Sequence, residues 1–285
     1  MLLKDIRDYQ ILFLGSFLAL GINTRDWTLR PEMICVAIAC CLSTQWLLSI
    51  IINHWSTTNP PEQKLNLRSA LITSLGLSLL LRADHWQTMA LAAVCAIASK
   101  FLFKVGDKHF FNPANFGIIS ALILTSDAWV SPGQWGEEWW YGLLFAGTGG
   151  MILQRIGRWD TTAAFLGSYS MLEAIRNLWL GWTWDVYWHR LMSGSLLLFA
   201  LFMVTDPRSI PNARIGRVIW AICIASLTFI LRNNFFISTA VFWSLFALAP
   251  LTIVIDFFWS SSRFSWLEPS NKETPAENLI QNSAL

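Results

Sequence analysis

Charge is scarce in this sequence. Asp, Glu, Lys and Arg together make up 13% of 285 residues, about half the share of an ordinary soluble domain. Cysteine is sparse too. Cys35, Cys40, Cys41, Cys95 and Cys223 all fall in apolar runs and form no Cys-x-x-Cys pair, which argues against a disulfide framework or a zinc site. Missing as well are a phosphate-binding glycine loop, a Ser/His/Asp arrangement and a cluster of metal-ligand residues. Hydrolase and nucleotide-hydrolysing chemistry therefore find no support. The four histidines, His54, His85, His109 and His189, all sit at the ends of apolar runs. That placement does not favour a haem held by two facing helices. A net charge of +2 gives no basis for nucleic-acid binding.

What is abundant is apolar length. The chain is 54% hydrophobic and its mean hydropathy is +0.47. Ten apolar runs, near 8–22, 32–53, 67–81, 86–103, 113–124, 140–153, 161–175, 191–205, 218–231 and 238–255, suit ~30 Å of hydrocarbon. They predict an all-α membrane protein with a ten-helix domain over 1–258 and a polar, disordered cytoplasmic tail over 259–285. Assigning loops to alternate sides separates the basic residues. Lys4, Arg7, Lys64, Arg68, Lys100, Lys104, Lys108, Arg155, Arg158, Arg208, Arg214, Arg217, Arg263 and Lys272 fall on one side, and Arg25, Arg30, Arg82, Arg176, Arg190 and Arg232 on the other. The richer side is expected to be cytoplasmic, with both termini there. Lys4, Asp5, Arg7 and Asp8 lead into the first run with no small-residue cleavage site, so that run is expected to be retained.

Seventeen tryptophans, many at run ends, read as an aromatic belt against membrane lipid. The stretch 179–188 reads as an outer interfacial segment, where quinone or partner contact is the alternative to simple anchoring. The two halves are also similar. Arg68 to Asp84 overlies Arg190 to Asp206 at an offset of 122, and His109-Phe110-Phe111 overlies Asn234-Phe235-Phe236 at an offset of 125. The charge assignment puts Arg68 inside and Arg190 outside, as expected for two inverted five-helix repeats over about 8–130 and 139–256. In such folds short helices at matching positions mark the binding site, and the third and eighth runs are short.

Two polar punctuations stand out. Asn112-Pro113 opens the fifth run, with Asn placed to cap and Pro to occupy the first helical turn. The exposed N–H groups of such a start, through Asn115 and Gly117, suit an anion or an electron-rich ring. Thr205-Asp206-Pro207 closes the eighth run, which begins at the small residue Gly194. Asp206 reads equally as a loop cap and as an acid beside a cofactor. Glu173 and Arg176, three apart, are placed to pair on one helix face, while Arg82 and Asp127 read as interfacial.

Phe110-Phe111-Asn112-Pro113-Ala114 and His189-Arg190-Leu191-Met192-Ser193-Gly194-Ser195, running into Phe202-Met203-Val204-Thr205-Asp206-Pro207, resemble one family. It is the NqrB/RnfD family of membrane subunits of sodium-translocating NADH:quinone reductase and of the Rnf electron-transport complex. Thr-Asp-Pro is the most specific part. The likeness runs from Tyr9 to Asp256 and includes Gly136-Glu137 and Arg158-Trp159. It implies a urea-transporter-like fold of ten helices in a bacterial inner membrane, redox partner subunits, possible access to quinone, and a flavin. Relatives carry FMN on the threonine of a Ser-Gly-Ala-Thr motif between the fifth and sixth helices. Here that region reads TSDAWVSPGQWGEEWW. Thr125 stands in another context, and Thr148 lies within the sixth run.

The expectation is thus an electron-transport subunit without covalent flavin, of the short RnfD-like type, lacking the long soluble extension of the quinone-reductase subunit. It would act as an enzyme only within a complex. FMN or riboflavin would be bound non-covalently by Asn112, Pro113, Asn115, Gly117, Gly194, Thr205 and Asp206. The rival reading is an ion or small-solute transporter on the same inverted repeat.

Overall fold

A computed structural model describes residues 5–25, 30–55, 66–130, 135, 139–264 and 266. Helices occupy all ten apolar runs. In the first half these are α1 (Ile6–Arg25), α2 (Pro31–Trp55), α3 (Leu67–Leu80), α4 (Trp86–Leu102) and α5 (Pro113–Leu124). The second half holds α6 (Trp139–Ile156), α7 (Trp159–Trp179), α8 (Trp184–Leu191), α9 (Gly194–Leu198), α10 (Arg214–Asn233), α11 (Ala240–Leu248) and α12 (Leu251–Phe258). Between α9 and Val204 the chain widens into a π-turn, Phe199–Met203. The protein is an all-α membrane protein. Its β-structure in the described residues is four short strands. β1 (Leu81–Ala83) pairs antiparallel with β4 (Ala128–Val130), and β2 (Lys104–Val105) with β3 (Lys108–His109).

The runs are not equivalent as helices. Among the described residues only Pro31–His54 and Arg214–Asn233 are single helices long and apolar enough to cross a bilayer. The eighth and tenth runs are broken instead: α8 meets α9 and its π-turn at 49°, and α11 meets α12 at 48°. The 12 residues of α5 reach only about 18 Å. β1 directly follows α3 and β4 lies three residues beyond α5, and their pairing joins the far ends of the two short helices.

Packing follows the same order in each half. α1 lies on α3, α2 on α3 and α4, and α4 on α5; α6 lies on α9 and the π-turn, α7 on α8, the π-turn and α10, and α10 on α11. The halves meet where α5 touches α11 and α1 touches α6. α7 and α10 run parallel. Arg217 near the start of α10 bonds Asp160 near the start of α7 (Nε to Oδ1 3.0 Å), and Asn233 at the end of α10 donates to Glu173 (Nδ2 to Oε1 2.9 Å). The Glu173–Arg176 pair expected from spacing does not form. Glu173, 1% exposed at its side chain, takes Arg190 at 3.0 Å and the Tyr169 hydroxyl at 2.9 Å, while Arg176 lies 4.6 Å from the ring centre of Trp182. Arg82, just past the end of α3, is buried within the protein, and its Nη1 donates to the carbonyls of Ser78 and Leu81, both at 2.8 Å. Exposed Trp179, Trp184 and Trp188 mark the segment around α8.

Candidate functional site

The start of α5 is built as its sequence dictates. Asn112 is extended (φ −66°, ψ 123°), its Oδ1 accepts the Asn115 N–H at 3.0 Å, and Pro113 opens the helix. The Asn112 amide then reaches across the fold. Nδ2 donates to the Met203 carbonyl at 3.2 Å, at the end of the π-turn. Two motifs ninety residues apart are thereby joined by a buried hydrogen bond. The π-turn is defined by the Val204 N–H bonding the Phe199 carbonyl at 3.0 Å, five residues back rather than four. This wider turn presents Thr205-Asp206-Pro207 beside the capped helix start; π-turns recur at functional sites. Thr205 is spent on its own turn, its hydroxyl donating to the Leu201 carbonyl at 2.8 Å.

Asp206 caps the turn that follows it and also faces a histidine. Its Oδ1 accepts the Arg208 N–H at 3.2 Å, closing the following turn, and its Oδ2 lies 3.7 Å from Nε2 of His109. Burial pushes the Asp206 carboxyl up, yet His109, the Arg208 N–H and Ser209 outweigh it and hold the group below the usual carboxylate range. Burial is also the main influence on His109. It lowers the imidazole below 6.5 against the opposing pull of Asp206, with Lys100 and Arg208 lowering it further. His109 is the site residue that sequence reasoning missed. It stands three residues before Asn112, and the sequence marks it only as part of the repeat and as one of four histidines at run ends; nothing local to it announces Asp206 as its partner.

These groups edge a cavity of about 940 Å³, counting its open mouth. Its walls are mainly apolar: Leu14 from α1, Ile72, Leu79 and Leu80 from α3, Ile152 from α6, and Leu198, Leu201 and Phe202 from the broken eighth run. Its polar lining comprises Arg7, Gln10, Ser69, Thr73, His109, Asn112, Thr205, Asp206 and Arg208. Arg7 is fixed by Asp5 (Nε to Oδ1 3.0 Å) and Asn66 (Nη1 to Oδ1 3.1 Å), and Trp266 lies over its guanidinium at 5.2 Å. The hydrogen bond from Arg7 holds the Asp5 carboxyl low. Lys100 donates to the Ser69 hydroxyl at 3.1 Å, behind the wall. An apolar chamber with a few convergent polar groups is the usual build of a cofactor pocket. A flat, amphipathic flavin fits that character.

Of the seven expected site residues, Asn112, Pro113, Thr205 and Asp206 line the cavity. Asn115, Gly117 and Gly194 are outside its lining. Asn115 Nδ2 donates to the Phe242 carbonyl at 3.1 Å, tying α5 to α11. Gly117 lets α5 close on α4: a Cβ there would lie 2.5 Å from the Ala92 carbonyl oxygen. Gly194 seats Trp135, whose Cβ would lie 2.5 Å from an added one. The hydroxyls of Thr125 and Thr148 donate to Ala121 and Leu144 in their own helices, at 2.8 and 2.7 Å. Gly136-Glu137 and residues 267–285 of the tail lie outside the described residues. Among the described residues no three His, Cys, Asp or Glu side chains group as metal ligands, and the cysteines are free thiols.

The model of the NQR2, RnfD, RnfE family matches residues 124–265. The D component of an ion-translocating oxidoreductase complex from Vibrio vulnificus (strain YJ016) is 34% identical over 102 residues, 34% of this chain and 28% of that protein. Its counterpart in Stutzerimonas stutzeri is 32% identical over 106 residues, 37% of this chain and 30% of its own length. That of Alcanivorax borkumensis is 25% identical over 251 residues, covering 67% of this chain and 73% of the relative. The alignment thus spans less than a third of the Vibrio and Stutzerimonas relatives and nearly three quarters of the Alcanivorax one. The matched family segment contains the Gly194 to Pro207 stretch that forms one side of the cavity, and on these likenesses the chain belongs to the NQR2, RnfD, RnfE family.

Proposed function

We propose that this protein is a membrane electron-transport subunit of an ion-translocating oxidoreductase complex, and that it holds FMN or riboflavin non-covalently in the cavity between Asn112 and Asp206. The observation that carries this reading is the meeting of the two motifs: the Asn112 amide bonds the Met203 carbonyl where Thr205-Asp206-Pro207 turns into the cavity. The names of the relatives support the complex. A flavin would supply the electron chemistry. Leu79, Leu201 and Phe202 would exclude water, while Asn112 holds the polar end in shape. His109, its Nε2 turned to the Asp206 carboxylate, would hold a proton together with that acid at this edge of the cavity and pass it on. Other subunits would deliver and remove electrons, and quinone and lipid are further partners of this reading.

The same reading includes ten membrane crossings in two inverted repeats over 8–130 and 139–256, a tail over 259–285, and both termini in the cytoplasm of a bacterial inner membrane. The matching order of packing in the two halves supports the repeat. So does the placement of short or broken segments at the third, fifth, eighth and tenth runs, as in folds that bind at the repeat interface. A transporter reading rests on the same cavity and would be favoured by solute flux in proteoliposomes without redox substrates.

The test is the absorbance spectrum of gently extracted protein, with denaturing-gel fluorescence to separate covalent from loose flavin. Wild type is expected to release flavin on denaturation. Asp206→Ala should lower the occupancy severalfold. Asn112→Ala should lower it too, and cost about 1 kcal/mol of stability through the lost cap. Unchanged flavin content in both variants would rule this cavity out.

A further inference from the structure

We propose that a second, basic cavity holds the phosphate of an anionic phospholipid, whose acyl chains lie along exposed apolar side chains beside it. The inference uses the membrane setting of the chain and stands apart from the flavin reading. The cavity has about 530 Å³ of empty space, counting its open mouth. Its walls come from three segments at helix ends. Asp107 and Lys108 lie between α4 and α5, Arg208 and Asn212 precede α10, and Arg263 follows α12. α10 is long and apolar enough to cross a bilayer, so a cavity at its start lies at the depth of lipid headgroups.

The acids nearby do not cancel the cations. Asp256 is taken up by Lys108 Nζ at 2.5 Å, by the Asn212 N–H at 2.7 Å and by the Asn212 amide at 2.9 Å. Among the described residues no carboxylate forms an ion pair with Arg208 or Arg263. Arg208 gives Nη2 to the Asp107 carbonyl at 2.9 Å and keeps its other side-chain donors. Arg263 packs over Gly106, where an added Cβ would lie 2.9 Å from its Nη1, so its guanidinium is positioned by backbone. Arg158 adds a cation behind the wall. Its Nη1 donates to the Asn212 carbonyl at 3.3 Å, and its guanidinium lies 5.7 Å from the ring centre of Phe264, another lining residue. Its Nε is buried with no acceptor among the described residues. These four cations against Asp107 and Asp256 leave a net positive corner. A phosphodiester offers oxygens that accept paired N–H bonds from guanidinium groups, and basic pockets between membrane helices are a known form of headgroup site. The surroundings favour a lipid over a free phosphate. Leu102 and Val105 on one segment, and Phe257 and Phe258 directly after Asp256, are exposed. The ammonium of a zwitterionic lipid would be repelled by the same corner.

The full chain, stripped of lipid in detergent, is titrated with phosphatidylglycerol or phosphatidylcholine, and bound lipid is counted by native mass spectrometry. Phosphatidylglycerol is expected to bind at one site about tenfold more tightly, the order that a unit charge gives beside a positive corner. That advantage should shrink with added salt. Arg263→Gln and, separately, Arg208→Gln should bring the two lipids within about twofold of each other. Arg155→Gln, which removes an exposed cation outside the cavity, should leave the preference intact. Equal affinity of wild type for the two lipids, an unchanged preference in both cavity variants, or an equal loss in the Arg155 variant overturns the inference. Glycerol 3-phosphate that displaces the lipid at equal concentration would make the ligand a soluble phosphate ester and overturn it too. Arg263 stands outside the large cavity, so its variant should keep the flavin content of wild type, and either reading can fail without the other.

Discussion

His109 and Asp206 give the cavity's polar end its response to acid. Burial holds the imidazole below its ordinary 6.5. The unfolded chain therefore binds a proton on His109 at a pH where the folded chain does not, and stability rises with pH across that window. Going down in pH, the folded state begins to lose stability near 6.5. Asp206 acts in the same direction at lower pH. Its carboxyl is held below 3.8, so its contribution is present above that value and lost as pH falls through it. The thermal midpoint of purified protein is expected to drop between pH 7 and pH 5, and His109→Gln to flatten that part of the curve. An identical slope in the variant would mean that other groups set the response. Gly117 and Gly194 show the opposite lesson at this scale. They were read from sequence as binding residues, but the contacts around them are helix packing and the seat of Trp135.

At the scale of elements, the parallel pair α7–α10 is pinned at both ends by buried charge. Asp160 and Arg217, 5% and 6% exposed at their side chains, form a two-bond ion pair, and Arg217 also donates to the Asn212 carbonyl at 2.6 Å. Removing one partner of such a pair costs about 3–5 kcal/mol, less here for Asp160 because the exposed Arg214 stays 3.7 Å from its Oδ2. Arg217→Ala is therefore expected to lower the thermal midpoint by many degrees. Combining it with Asp160→Asn should recover part of that loss. Additive losses in the double variant would show that the two residues act separately. The pair also matters for the site, because Asn212 links Arg217 to Asp256, and Asp256 holds Lys108 at the basic cavity. The π-turn plays a comparable part for the eighth run: one residue of extra width in a short helix is what faces Met203 toward Asn112.

For the whole molecule, the inverted repeat makes a directional claim that labelling can check. Lys104 and Asn234 are both exposed, and charge partition puts them on opposite sides of the membrane. With the five native cysteines replaced, a cysteine at 104 is expected to react with an impermeant maleimide only from the cytoplasmic face. One at 234 should react only from the other. Reaction of both from one face would break the ten-crossing arrangement and the repeat with it. The packing of α5 on α11 and of α1 on α6 is where the halves would join, and the cavity lies against α1, α3, α5, α6 and the π-turn, drawing from both.

The sequence by itself determined the apolar runs, the capped start at Asn112-Pro113 and the family. Each is a local property: hydrocarbon length, a side chain able to cap its own helix, a short string of residues. Tertiary structure decided how the eighth run is broken, because its π-turn and 49° bend answer to the packing around them and not to apolar length, whereas the 48° bend of the tenth run sits at Pro250, which brings no N–H to a helix. It also decided partners. Glu173 chose Arg190 over the nearer Arg176, and His109 found Asp206 across nearly a hundred residues. In a chain with so little charge, each buried ionic group takes whichever counter-charge the fold brings within reach. That choice is made in three dimensions, and no spacing along the chain records it.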